Sequence, residues 1–350
     1  MTLLQKLGVS LPIVQAPMAG VSTPELAVAV SEAGGLGSIG IGATDAAGGR
    51  AMIDAVRART SRPFNVNLFV HSTAQADAAR EERWLKALEP VFQRFNAEPP
   101  ATLRTIYTSF ANDDDMLAML VEKAPPVVSF HFGVPSAERI AALKQAGCAL
   151  LASATSVGEA KLVADAGIDM VVAQGWEAGG HRGVFDPAAP DDQLGTMALT
   201  RLLVLRAGLP VISAGGIMDG AGIRAALALG ATAAQLGTAF VSCPESGADA
   251  AYRAALAGED ANHTVMTRAI SGRPARCLAN LFTRWSAGVP YEPPDYPIAY
   301  DAGKALNAIA KAAGEGGFGA QWAGQGAPLQ RPMQAGPLVE LLWREALEAA

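Results

Sequence analysis

Eight short apolar runs recur along this chain, and none alternates strictly with polar residues. They span residues 12–16, 37–41, 64–69, 127–132, 149–154, 169–173, 210–214 and 233–240. Runs rich in Val, Ile, Leu and Ala without alternation mark parallel strands covered on both faces. Helical patterns lie between most of them. Ser22-Thr23-Pro24-Glu25 supplies an N-cap, a first-turn proline and an acid at the positive end of the helix dipole, and Gly34 stops that helix. Thr155 or Ser156 opens another that ends at Gly167, and Asp219 opens one that ends at Gly230. Ala33-Gly34, Ala146-Gly147, Ala166-Gly167 and Leu229-Gly230 each place a glycine stop just before a strand. This recurrence predicts a β/α series, and eight strands fit a (β/α)8 TIM barrel better than a doubly wound sheet.

Two regions fall outside the repeat. Residues 71–124 hold a charged amphipathic helix over 75–95, then a Pro-Pro break. After residue 243 come four prolines between 290 and 297, a helix over 302–313 and a closing helix over 337–349. The expected organisation is a barrel from 1–70 and 125–242. Segments 71–124 and 243–350 then form a smaller, mostly helical second domain over the C-terminal mouth.

Composition narrows the function. Half of the 350 residues are hydrophobic and 17% are charged, enough for a large core. A net charge of −6 gives no electrostatic footprint for nucleic acid, and no basic amphipathic segment argues for a membrane surface. The start lacks the apolar core of a signal peptide. The uncharged stretch 225–243 is long enough to span a bilayer, but its Gly230, Thr232, Gln235, Gly237 and Thr238 read as a helix end, a turn and a strand. Cys148, Cys243 and Cys277 are odd in number and form no CxxC pair. That suits a reducing cytoplasm, with no disulfide scaffold and no zinc site. The expectation is a soluble cytoplasmic protein, monomer or homodimer, acting on a small molecule.

The candidate chemistry gathers at strand ends. The sixth run leads into Gln174-Gly175-Trp176-Glu177-Ala178-Gly179-Gly180-His181-Arg182-Gly183. Glycines let backbone approach a flat cofactor or a phosphate, and the imidazole titrates near neutrality; the alternative is an ordinary βα turn with a solvated histidine. Gly35-Leu36-Gly37-Ser38-Ile39-Gly40 matches GxGxxG, but a helix precedes it and a strand runs through it, the reverse of the dinucleotide-binding context. The phosphate signal is Ser213-Ala214-Gly215-Gly216-Ile217 followed by Gln235-Leu236-Gly237-Thr238, at the seventh and eighth strands. The loops there form the usual phosphate cradle of barrel enzymes; tight packing of small residues is the alternative. Gln15-Ala16-Pro17-Met18 at the first strand, Asn65 and Asn67 on the third and Gln174 on the sixth offer polar groups to the edge of a planar ring.

Taken in order, these segments resemble the motifs of class I nitronate monooxygenases, formerly 2-nitropropane dioxygenases. The resemblance rests on Gln15-Ala16-Pro17-Met18, Phe64-Asn65-Val66-Asn67-Leu68-Phe69, Ser129-Phe130-His131-Phe132-Gly133-Val134-Pro135, Glu177-Ala178-Gly179-Gly180-His181-Arg182-Gly183, Ala214-Gly215-Gly216-Ile217 and Gln235-Leu236-Gly237-Thr238. It implies a barrel holding one non-covalent FMN that oxidises alkyl nitronates with O2 through a one-electron step, without reduced nicotinamide. The products are a carbonyl compound and nitrite or nitrate, and propionate 3-nitronate, a toxic metabolite, is the expected substrate. By motif, Ala16, Pro17, Met18, Asn67, Gln174, Gly179, Gly180, Gly215, Gly216, Gln235, Leu236, Gly237, Thr238 and Gln325 would bind FMN. His181 would be the active-site histidine.

His131 shares a strand face with Ser129 and either lines the same pocket or is a hydrogen-bonded core residue. His71 and His263 match no motif and read as surface residues. The tail carries Tyr296, Tyr300 and Lys304. Tyr300 and Lys304, four apart, share a helical face and suit an anion, or form a solvated pair. Tyr107 and Tyr252 are weaker candidates for that pocket. An NAD(P)H-driven reductase of quinones or enoyl thioesters on the same flavin barrel remains open. So does a non-catalytic barrel that senses a phosphorylated metabolite. An aldolase-type barrel would want a strand-top lysine, which no run carries.

Overall fold

The computed structural model describes residues 1–349. Its strands, numbered in chain order, are β1 (Ile13–Gln15), β2 (Gly37–Gly40), β3 (Phe64–Phe69), β4 (Val127–His131), β5 (Ala149–Ala154), β6 (Met170–Gln174), β7 (Gly180–His181), β8 (Val211–Ala214), β9 (Ala233–Leu236), β10 (Thr264–Thr267) and β11 (Ala275–Leu278). Eight of them pair in parallel in the order β1-β9-β8-β6-β5-β4-β3-β2, and a Val14–Leu36 bridge closes the ring. This is the (β/α)8 barrel that the apolar runs predict. Gly34, Gly147, Gly167 and Gly230, the four helix stops, all take positive φ. Helix Pro24–Glu32 is capped by the Thr23 side chain, helix Val157–Asp165 by Ser156 and helix Gly220–Ala228 by Asp219.

Outward residues such as Ile39, Val66, Val128 and Val171 pack under the helices. A second layer, with Val14, Leu36, Leu151, Val172 and Ile212, is joined by Leu4 and Val9 from the N-terminal segment. Gly37 belongs to helix packing rather than to a dinucleotide loop: a Cβ there would stand 2.0 Å from the Ala27 carbonyl oxygen on the neighbouring helix.

Three expectations need correction. The eighth barrel strand ends at Leu236 instead of running to residue 240, because the chain turns at Gly237 into a short helix, Thr238–Val241. Helix Asp114–Lys123, placed with the additions, buries Met116, Met119 and Leu120 in the barrel's outer core beside Ile53 and Phe130. Helix Ala335–Glu348, also placed there, packs on helices Gly220–Ala228 and Pro24–Glu32 and completes the helical ring. Spatially, then, the chain returns to the barrel at its end.

The remaining additions form their own cluster. Trp84, Leu88 and Phe92 from helix Ala78–Gln93 pack with Phe282, Leu306 and Phe318. A small antiparallel sheet, β10-β11-β7, reaches from this layer to the barrel, because β7 is the segment that carries His181. Among the described residues, no helix is long and apolar enough to cross a membrane.

Candidate active site

A cavity of about 620 Å3 opens at the C-terminal ends of the barrel strands. Its wall includes Ala16, Pro17, Met18, Asn67, His131, Gln174, Gly179, Gly180, His181, Gly215, Gly216, Gln235, Gly237, Thr238, Tyr296, Tyr300 and Lys304, with Tyr107, Tyr252 and Trp322. Residues more than 200 positions apart converge here because every barrel strand ends at the same rim.

The glycine loops are fixed by Thr196 and Glu177. Thr196 Oγ1 contacts both the Gly215 carbonyl oxygen, at 2.9 Å, and the Glu177 carboxylate, at 2.8 Å. Glu177 also accepts from the Thr196 backbone N–H at 2.7 Å. Gly179 lets the tail come close: a Cβ there would lie 2.4 Å from Gly324 N. Gly216 has φ +68, the left-handed region that glycine adopts without strain. No protein group among the described residues accepts a hydrogen bond from the N–H of Gly216, Gly237 or Thr238.

His181 sits in an aromatic box. Its ring lies 5.6 Å from Phe132, 5.4 Å from Tyr296 and 5.1 Å from Trp322, centroid to centroid. Its Nε2 contacts Ser271 Oγ at 2.9 Å, so Nδ1 is the nitrogen left for a ligand. Burial, then repulsion from His131 and Arg273, pushes its pKa down to about 3. His131 is likewise held neutral, at about 4, chiefly by burial. Its Nδ1 meets Ser153 Oγ at 3.0 Å and its Nε2 the His181 carbonyl oxygen at 3.1 Å. The carbonyl can only accept, so Nε2 carries the proton and Nδ1 accepts from the serine. Both readings of His131 therefore meet: it lines the cavity and is hydrogen-bonded.

Lys304 Nζ stands 4.9 Å from the Tyr107 ring centroid and 5.4 Å from that of Tyr300, a cation held between two π faces. The residue is exposed at the cavity mouth, yet partial desolvation against the two rings lowers its pKa. The phenols stay protonated: burial raises Tyr107 to about 12 and pushes Tyr296 and Tyr300 up as well. The site thus offers neutral donors and a cation.

Several sequence expectations place differently. Leu236 faces away from the cavity and packs with Ile13, Ile223 and Phe240. Gln325 is exposed and lies outside the cavity wall, its N–H bonded to the Glu177 carbonyl oxygen at 2.9 Å. Gln174 reaches the cavity, but its amide bonds the His181 carbonyl oxygen at 2.9 Å and the Gly183 N–H at 2.6 Å, holding the histidine loop. Asn65 lies deeper, on Ser38. His71 is not a surface residue: it is 4% exposed, with its ring edge-on to Tyr296 at 5.0 Å, because the loop after β3 runs beneath the tail. His263 is exposed. Ser271 and Arg273 carry no local sequence signal, since they meet the histidine loop across about 90 residues.

Histidines, a lysine and free backbone N–H groups around one strand-top cavity mark the C-terminal rim as the candidate active site of a barrel enzyme. The sequence matches the nitronate monooxygenase family over residues 1–345. It is 62% identical to a nitronate monooxygenase of Paraburkholderia phytofirmans over 98% of this chain and 94% of that protein. It is 57% identical to a nitronate monooxygenase of Pseudomonas aeruginosa, covering 97% of each. The crystal structure of a nitroalkane oxidase from Streptomyces ansochromogenes superposes with a TM-score of 0.91 at 43% identity, covering 99% of this chain and 98% of that one. FabK from Thermotoga maritima superposes at 0.76 and 31% identity, covering 99% and 96%. The chain belongs to the nitronate monooxygenase family, a family of flavin-dependent oxidoreductases.

Proposed function

We propose that this protein binds one FMN across the strand tops and oxidises alkyl nitronates, propionate 3-nitronate among them, with O2. The observation that carries this reading is the set of free N–H groups at Gly216, Gly237 and Thr238, on a cavity that His181 and Lys304 also line. A phosphate dianion needs convergent donors and no side chain in the way, and the glycines meet both conditions. The volume also lies within the range of cofactor and ligand sites. The donor set therefore fits FMN.

Bound FMN would supply the electron-accepting chemistry, with O2 as final oxidant. The chain's own residues orient and select. The neutral His181 ring presents Nδ1 to the cavity, and Lys304 offers an anion a positive charge from the mouth. The Phe132, Tyr296 and Trp322 rings exclude water, which strengthens each polar contact inside. The layer formed by helix Ala78–Gln93, strands β10 and β11 and the tail to Gly326 serves as the substrate-side cap. A carbonyl compound and nitrite or nitrate would leave.

Oxygen uptake on addition of propionate 3-nitronate to the yellow, FMN-loaded protein tests this, with nitrite and nitrate measured together. Uptake without added NADH is the expected result. A protein that consumes NADH with a quinone, and ignores the nitronate, overturns it in favour of the reductase reading.

A further inference from the structure

We propose that Arg273, lodged behind the ring of Phe132, makes this site choose an anionic substrate over its neutral counterpart. The inference rests on the nitronate reading and adds a specificity residue that does not itself touch the cavity. Arg273 is 2% exposed, and its Cζ stands 4.2 Å from the centroid of Phe132. The other face of the site is close by: Phe132 packs 5.6 Å from His181 and 5.5 Å from Tyr296.

The charge of this guanidinium is uncompensated at close range. Buried Arg182 is paired with Asp191 at 2.8 and 3.0 Å, and Arg139 with Asp114 at 2.5 Å. Arg273 has no carboxylate within ion-pair distance among the described residues; its Nη2 donates to the carbonyl oxygens of Val184 and Phe185, and its Nε has no partner. Arg276 also lacks a carboxylate contact, but each of its three nitrogens is hydrogen-bonded, to Trp176 or Thr264. The titratable and charged groups that face Arg273 at longer range are Tyr296, Arg268, Glu159 and Asp186, with His71, His131 and His181. Glu159 is already engaged by Thr155 and the Phe185 N–H, and Asp186 by the Ala188 N–H.

Phe132 is held to this task against its own backbone preference. Its φ of +77 lies in the left-handed region, which L side chains avoid, and such strain persists where the surroundings impose it. An unpaired cation behind an apolar ring is poorly screened, so its field reaches the cavity. Burial chiefly lowers the pKa of His131, His181 and His71, and repulsion from Arg273 adds to the fall in each. Neither cavity histidine then supplies the positive charge. Lys304, the other cation, is exposed at the mouth and therefore more screened.

The test uses two inert probes of equal shape, propionate and propionamide, as competitive inhibitors of the FMN-loaded enzyme, with binding also read by calorimetry. R273Q keeps a donor for the Val184 carbonyl and removes the charge; R273K keeps the charge. The expected result is an anion preference about tenfold smaller in R273Q, propionamide affinity within twofold of wild type, and a preference retained in R273K. Should R273Q fail to fold, R273K alone decides. Its anion preference should fall at a lower pH than that of the wild type, in which burial lowers Arg273 only to about 10, while Lys304 titrates in both proteins and cancels in the comparison. Equal loss of both probes in both variants, or an unchanged preference in R273Q, or an R273K profile that coincides with the wild type, overturns the proposal and leaves Arg273 a clamp on the 184–185 loop. Nitronate oxidation by the wild type is scored separately, so its absence would overturn the functional reading without deciding this one.

Discussion

Nε2 of His131 donates to the carbonyl oxygen of His181 at 3.1 Å, so one cavity histidine holds the backbone of the other. Gln174 Nε2 donates to the same oxygen at 2.9 Å. The peptide after β6 is thereby pinned from two sides, and Ser271 fixes the imidazole from a third. His181→Asn should leave FMN bound and depress kcat by about a hundredfold, the scale of a lost positioned donor or base. His131→Ala should cost about tenfold, acting through placement alone. Steady-state kinetics with flavin content measured in parallel separates the two; unchanged turnover in the His181 variant removes that residue from the mechanism.

The two neutral histidines also set a pH dependence of stability. Their folded pKa values, about 4 and about 3, lie below the unfolded value near 6.5. Between these limits the unfolded chain binds more protons, so stability is full above about pH 6.5 and falls as the solution is acidified. Each histidine contributes a slope of at most about 1.4 kcal/mol per pH unit. Urea unfolding at pH 7, 6 and 5 should show the fall, and His181→Asn should flatten it. An equal slope in the variant would place the acid sensitivity elsewhere.

Tyr296 carries a buried hydroxyl with no hydrogen-bond partner among the described residues. An unsatisfied buried polar group costs about 1–3 kcal/mol. Tyr296→Phe should therefore raise the unfolding free energy of the ligand-free protein by about 1 kcal/mol while lowering substrate affinity. A destabilised variant would mean that the hydroxyl is bonded in solution.

Two glycines should both cost stability on substitution but differ in flavin retention. Gly179→Ala drives a Cβ to 2.4 Å from Gly324 N and should cost at least about 2 kcal/mol together with loss of FMN. Gly147 has φ +93 and nothing within 4 Å of a Cβ, so Gly147→Ala should cost about 1–2 kcal/mol of backbone strain and keep its flavin. Thermal unfolding with flavin release read by fluorescence compares them.

The barrel was legible because each strand is a short apolar run and four helices end on a glycine with positive φ, both local signals. The cavity's glycines and His181 were legible for the same reason, since strand ends carry their own punctuation. Long-range contacts were not. Helix Ala335–Glu348 reads as a tail, and only packing on helix Pro24–Glu32 makes it part of the ring. Pairing of β7 with β11, and the Ser271 contact to His181, join segments about 90 residues apart without a repeating pattern. From sequence His71 reads as a surface residue, because polarity alone cannot show that Tyr296 lies over it.

FMN held at Gly216, Gly237 and Thr238 would accept electrons from a nitronate. Anaerobic titration of the yellow protein with propionate 3-nitronate, followed by visible spectroscopy beside a matched titration with NADH, tests it most directly. The flavin spectrum should change on adding the nitronate and stay unchanged with NADH. Bleaching by NADH with no response to the nitronate, or a protein that carries no flavin at all, would contradict it.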